Sequence, residues 1–314
     1  MEEYAVIPLP WLFGNRTGLV GKLKLLRKIF LSSVQIKKYI RINNVQKVIV
    51  NTIAIPGPSI AGRLTSVPVY WFLHELGNDG FILLFGEKFS KKLIGLLADK
   101  VVCNSQYTLS HYKAFISSKK LSYAYQSVSI NLPVRRIKDS TINYGLVGRL
   151  CSQKAQREAV EAMVLMKDER ARLWLIGPGN NQYAIELKRW VSENGLNEKV
   201  VFTGETDNIG EMYAKLDVLV VCSRNEALGR TTIEAMKSGL PVIAPNAFGH
   251  SELIQDGSNG YYYQLGNPAD LAAKMKMLSN RETCIKLGEY GKKWAYLHFN
   301  DQRFAEMLME SLNS

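Results

Sequence analysis

With 314 residues the chain has material for two cores of ordinary size, and a composition of 46% hydrophobic and 22% charged residues without a low-complexity tract excludes a disordered or fibrous protein. No apolar run reaches the roughly 18 residues of a spanning helix, the N-terminus lacks a signal-peptide pattern, and Cys103, Cys151, Cys222 and Cys284 are too scattered for a zinc site or a disulfide framework; the expectation is a cytoplasmic protein with reduced thiols. The net charge of +12 is unevenly placed, with 20 Lys and Arg against 7 Asp and Glu in residues 1–139 and 20 against 21 in residues 140–314.

Residues 4–10 (YAVIPLP) read as a strand with a proline-marked end. Residues 18–41 form a basic helical stretch in which Leu23, Leu26, Phe30 and Val34 recur near helical spacing among Lys22, Lys24, Arg27, Lys28, Lys37 and Lys38. Such a helix packs on a sheet with its charges in water or lies on a membrane surface, and both can hold. Residues 47–51 (KVIVN) and 67–73 (VPVYWFL) are buried-strand candidates separated by a Pro/Gly loop at 56–58. The second ends at His74-Glu75, the carboxyl end of a strand, where ligands bind in open α/β sheets. A histidine there is either a satisfied structural group or a contact able to donate to a sugar hydroxyl. Residues 99–105 (DKVVCNS) give another strand, and residues 135–140 a polar, basic linker.

From Asn143 a regular β-α alternation sets in. Strands are expected at 143–147, 173–176, 200–203, 216–221 and 242–244, with helices at 156–166, 182–193, 209–215 and 229–237 between them. This is the pattern of a doubly wound parallel sheet. Gly177-Pro178-Gly179 lacks the third glycine of a dinucleotide fingerprint. Asp256-Gly257 and Asn259-Gly260 mark two tight turns, and helices follow over 268–278, 281–297 and 299–312.

Two constellations carry chemistry. In residues 223–245, SRNEALGRTTIEAMKSGLPVIAP, Glu226 precedes a helix whose start is Gly229, Arg230 and Thr231, and Glu234 lies about one and a half turns inside it. Free N–H groups at a helix start attract phosphate, whereas carboxylates accept hydrogen bonds from sugar hydroxyls. Arg149 and Lys154 follow the first strand of this half and put two cations at the same sheet edge, suited to the charge that grows on a departing diphosphate. The plain alternative for all four is a solvated surface.

Residues 223–245 resemble the Glu-x7-Glu signature of the retaining, nucleotide-sugar-dependent glycosyltransferases of family 4. VGRLCSQKAQ at 147–156 is similar to that family's Gly-Arg-Leu and downstream lysine, with Ala155 where glycine is usual. The resemblance implies α/β architecture of the GT-B type, two Rossmann-like domains whose parallel sheets face a cleft, here residues 1–139 on the acceptor side, 140–297 on the nucleotide-sugar side, and a terminal helix over 298–314 that packs back on the first domain. It implies a UDP- or GDP-sugar donor without metal, a polysaccharide or lipid-linked acceptor, and transfer with retention. Arg149, Lys154, Gly229, Arg230 and Thr231 would then hold the diphosphate, Glu234 the ribose, and Glu226 and His74 the transferred sugar. A retaining front-face mechanism needs no general base, in keeping with the few acids of the first half, Glu75, Asp79, Glu87 and Asp99 beyond its ends. The family's opening strand, glycine-rich loop, helix and second strand have no equivalent here. The first domain is therefore expected to be incomplete, as a truncated form or with its missing part supplied by another polypeptide. The alternative is a catalytically incomplete nucleotide-sugar-binding module acting with a partner. The basic half suits an anionic membrane surface or a phosphate-linked acceptor, which would make the protein peripheral on the inner membrane face. No nucleic acid partner is expected, because the usual recognition motifs are absent.

Overall fold

The computed structural model describes residues 7, 9–10, 18–77, 86–131, 133 and 140–313. The chain divides into two compact units, residues 1–125 with 305–314 and residues 126–304. Most of the strand expected over residues 4–10 and of the linker expected over 135–140 lies outside the described residues.

In the first unit helix α1 (Leu19–Ile42) precedes β1 (Val48–Val50), α2 (Gly57–Thr65), β2 (Val69–Leu73), α3 (Glu87–Leu97), β3 (Lys100–Cys103), α4 (Gln106–Tyr112) and β4 (Leu121–Tyr123). The four strands pair in parallel in chain order. Trp71, Leu73, Val101 and Cys103 are buried in their core, and burial pushes the Cys103 thiol up to about 12. Segment 56–58, expected as a loop, instead opens α2. Pro58 sits in the first turn, where its missing N–H is no loss and its fixed φ suits the helix.

The face that α1 turns inward also differs from expectation. The buried residues are Ile29, Ser32, Ser33, Ile36 and Ile40, whereas Leu23, Phe30 and Val34 are exposed. Both serine hydroxyls donate to Ile29 O at 2.8 Å, which satisfies them inside the contact. Their small size lets α2 approach so closely that a Cβ on Gly57 would lie 3.0 Å from Ser32 Oγ.

The second unit holds β5 (Ile142–Val147), α5 (Gln156–Met166), β6 (Ala171–Ile176), α6 (Gln182–Glu193), β7 (Val200–Gly204), α7 (Ile209–Lys215), β8 (Val218–Val220), α8 (Arg230–Lys237), β9 (Val242–Pro245), β10 (Gly260–Tyr263), α9 (Pro268–Met277) and α10 (Arg281–His298). Helix α11 (Asp301–Asn313) ends the chain, and its last residues group with the first unit, where Ser311 Oγ donates to Tyr123 O at 3.5 Å. The sheet order is β10-β9-β8-β5-β6-β7, all parallel. The chain winds outward from β5 to β7, returns to place β8 beside β5, and winds outward the other way. Ligand crevices form at the carboxyl ends of strands where the order reverses, here between β5 and β8. Residues of β8 and β9 are buried throughout, as a strand covered on both faces requires.

Asparagines 181, 208, 267 and 280 cap α6, α7, α9 and α10 through their side-chain oxygens. Lys237, at the end of α8, is buried. Its ammonium donates to Val128 O at 2.6 Å and Phe299 O at 2.8 Å and lies over the Tyr296 ring, fixing the end of α10 within this unit.

Strand β10 replaces the second of the two turns expected around residues 256–260. Gly260 serves close approach: a Cβ there would stand 1.9 Å from Val242 O on β9. Gly257 has a φ of +75 with open space around it. Gly257→Ala should therefore cost ~1–2 kcal/mol for the left-handed backbone alone. Gly260→Ala should cost more, because β10 must leave β9. Urea unfolding of both variants measures the difference.

Candidate functional site

The turn after β5 and the turn after β8 meet at the point where the strand order reverses. Gly148 has a φ of +143, and the Lys154 stem lies across it so closely that a Cβ at 148 would meet Lys154 Cε at 3.3 Å. Gly177 after β6 presses on the same backbone, its Cβ position only 2.4 Å from Gly148 O, and a Cβ at Gly179 would meet Leu150 Cδ1 at 2.6 Å. Packing thus accounts for the Gly177-Pro178-Gly179 turn. Gln156 closes the first turn by donating from Nε2 to Arg149 O at 2.9 Å. Ala155 sits at φ +47, ψ 41, a left-handed conformation that glycine adopts without strain.

Arg224 N donates to Gln153 O at 2.9 Å, tying the two turns by their backbones. Across this link Lys154 Nζ donates to Glu226 Oε2 at 2.8 Å, with 26% and 23% of the two side chains exposed. An ion pair this open is worth about 0–1 kcal/mol, so it orients the two groups rather than holding the fold. The Arg149 side chain is exposed and forms no ion pair among the described residues.

Glu226 is anchored from the other side as well, its carbonyl accepting from Gly249 N at 2.9 Å. This contact seats the 3-10 turn Phe248–Glu252 and buries His250 completely. Gly229, with φ +98, caps α8 against the His250 ring, where a Cβ would stand 3.0 Å from Cε1 and Nδ1. Thr232 Oγ1 lies 3.4 Å from the ring's Nδ1, and Nε2 is buried without a hydrogen bond among the described residues. Burial pushes His250 down to about 4, with Lys154 acting in the same direction and Glu226 opposing. Since Gly229 has no side chain, the first-turn amides at Arg230 and Thr231 have no side-chain cap.

Glu234 is 8% exposed, with both carboxylate oxygens engaged. Oε1 accepts from Arg230 Nε at 2.9 Å and Oε2 from Tyr213 OH at 3.0 Å. Tyr213 on α7 is fully buried, and its hydroxyl pKa lies well above the usual value because of burial and the adjacent carboxylate. Glu226 and Lys154 therefore present accessible groups, while Glu234 sits in the wall.

His74 belongs to the first unit, at the end of β2, where Nε2 is 2.6 Å from Asn51 Oδ1. Three of the four acids noted in the first half have structural partners. Glu75 Oε1 accepts from Thr52 Oγ1 at 2.8 Å, Asp99 pairs with Arg63 at 2.9 Å and accepts from Val69 N at 2.8 Å, and Glu87 pairs with the buried Lys91. Asp79 lies outside the described residues. Spacing in the sequence did not reveal Tyr213 or the part played by His250, since each acts only through a neighbour brought close by the fold.

A family model described as glycosyl transferases group 1 matches residues 132–294. The chain belongs to this family. It is 29% identical over 235 residues to an uncharacterized glycosyltransferase of Methanocaldococcus jannaschii (73% of this chain, 64% of that protein). It is 28% identical over 152 residues to N-acetyl-alpha-D-glucosaminyl L-malate synthase of Bacillus anthracis (48% and 39%). The chain thus spans less than two thirds of the length of these relatives. Its fold is that of Anabaena HepE crystallised with UDP and glucose, at TM-score 0.78 and 21% identity over 96% of this chain and 85% of that one. The sucrose-phosphate synthase of Thermosynechococcus elongatus matches equally, with TM-score 0.78 and 19% identity over 93% and 79%. The two parallel α/β sheets are those of a GT-B protein.

For this group 1 domain, Ala155→Gly should change stability by less than ~1 kcal/mol, read from the urea midpoint at unchanged m-value, because relief of the left-handed backbone is offset by the entropy of glycine and the loss of a buried methyl. A histidine held near 4 against about 6.5 when unfolded stabilises fully above pH 6.5 and loses that contribution as pH falls toward 4, ~3 kcal/mol in all. His250→Gln should therefore flatten the acid limb of stability between pH 7.5 and 4.5 relative to the parent.

Proposed function

We propose that the protein is a retaining glycosyltransferase that moves a sugar, a hexose being the simplest case, from a UDP-sugar to a polysaccharide or lipid-linked acceptor at the inner membrane face. The observation that carries this reading is the accessible Lys154–Glu226 pair beside the side-chain-free cap of α8, at the point where the strand order reverses. A cation, a carboxylate and uncapped amides within two adjoining turns match the opposite needs of a diphosphate and a sugar ring.

In the proposed reaction the amides at Arg230 and Thr231, with Arg149 and Lys154, bind the diphosphate. Glu226 exchanges its bond to Lys154 for one from a sugar hydroxyl, so binding of the donor separates the pair and gives each member a partner. Glu234, held by Tyr213 and Arg230, faces the ribose, and His74, at the end of β2, is the first unit's candidate for a sugar contact. The bond between the anomeric carbon and the diphosphate oxygen breaks with its electron pair leaving on the oxygen. The acceptor oxygen bonds to the same face of that carbon, and its proton passes to the departing phosphate. The fixed cations stabilise the growing negative charge, which is largest in the transition state. This route asks for no protein base, and the structural partners of Glu75, Glu87 and Asp99 support it. UDP in the crystals of the similarly folded Anabaena HepE favours uridine over guanosine in the donor.

UDP at 100 times its dissociation constant should stabilise the protein by about 2.7 kcal/mol, read as a raised Tm, and Lys154→Ala should reduce the shift at equal UDP. Glu226→Ala should retain the UDP shift and lose about 10²–10³-fold in turnover of a screened UDP-sugar. Unchanged turnover in both variants would remove the site assignment. Stabilisation without any transfer or donor hydrolysis would instead mark a binding module that works with a partner.

A further inference from the structure

Helix α1 has a second apolar face. Leu19, Leu23, Phe30 and Val34 stand four, seven and four residues apart along one side and are 76%, 58%, 66% and 47% exposed, with Val20 and Leu31 exposed beside them. Among them lie Lys22, Lys24, Arg27, Lys28, Lys37, Lys38 and Arg41, while the helix contains no acid. None of these cations is in an ion pair among the described residues. The opposite face is fixed on α2 through Ser32, Ser33 and Gly57, so the exposed side is held rigidly outward.

A helix covered only by water gains nothing from seven exposed large apolar side chains, Ile42 included, and its charges are ordinarily of both signs. A second copy of the chain would bring seven cations against seven, which repel. A surface that offers hydrocarbon and negative charge together satisfies both features. No helix among the described residues is long and apolar enough to cross a membrane.

We propose that α1 docks the protein on an anionic lipid bilayer, lying in the plane of the interface with Leu23, Phe30 and Val34 toward the acyl chains and Lys24, Arg27, Lys28 and Lys38 against the headgroups. The inference rests on the membrane-face acceptor in the proposed function, and it is independent of the donor site. Docking in this way sets a lipid-linked acceptor and the first unit at one surface, so diffusion to the acceptor is confined to two dimensions.

The test is co-sedimentation of the full chain with phosphatidylcholine vesicles with and without phosphatidylglycerol. Binding is expected only with phosphatidylglycerol, weakening as salt rises. Replacing Lys24, Arg27 and Lys28 by Gln should lower the partition coefficient by roughly 100-fold, and Leu23→Glu with Phe30→Glu should abolish binding at every salt concentration. The parent remaining in the supernatant at low salt, or both variants binding as the parent does, overturns the proposal. So does a dimer in sedimentation velocity that Phe30→Glu dissociates while vesicles capture nothing, because the face would then join two copies. Melting with and without UDP separates the two readings: a lost UDP shift with vesicle binding intact sinks the donor site alone, and an intact shift without vesicle binding sinks only the docking helix. The Gln variant alters exposed cations only, so it remains informative if the Glu variant fails to fold.

Discussion

The Lys154–Glu226 contact exists because one strand returns to the middle of a sheet. Had β8 paired beyond β7, the two turns that carry these residues would be three strands apart, well beyond the reach of a lysine. Return to the centre places them side by side, and the backbone bond from Arg224 to Gln153 sets their separation. Burial of β8 and β9 on both faces fixes that strand order, since a strand of apolar residues gains most at the centre.

Around this contact the structure separates open from closed groups. Lys154 and Glu226 keep about a quarter of their side chains exposed, whereas His250, Tyr213 and Glu234 are buried. The closed groups shape the cap of α8: His250 fills the space that a side chain at residue 229 would need, and Tyr213 holds the carboxylate one turn deeper. A neutral histidine is the species that such a cavity admits, because the lack of water, and with it the nearby ammonium, opposes a second cation. The helix start thereby keeps its amides free of intramolecular caps, a condition for binding an anion.

The first unit is built on a different plan. Glu75, Glu87 and Asp99 bind its own backbone, a threonine and cations, and seven of its basic residues lie on a helix that contains no acid and turns only one side to the core. Of the 20 basic residues that stand against 7 acidic ones in positions 1–139, seven thus fall on one helix.

The alternation of strands and helices from residue 142 onward is legible in the residue pattern, with α5, α6 and α7 bounded where their periodicity ends. So are the motifs that single out Glu226, Glu234, Arg149 and Lys154 as candidates, because their spacing is local. Period failed where short segments compete with tertiary packing. Proline and glycine at 56–58 begin a helix because a neighbouring helix accepts that glycine, and 260–263 forms a strand because β9 offers an edge. On α1 both apolar series are helical in spacing, and the packing partner selects which is core. Only the folded chain brings Lys154 to Glu226, walls in Glu234 with Tyr213 and sets His250 beneath Gly229. These contacts join residues 72, 21 and 21 positions apart in the chain, and separation of that order is set by strand order and packing rather than by any local propensity.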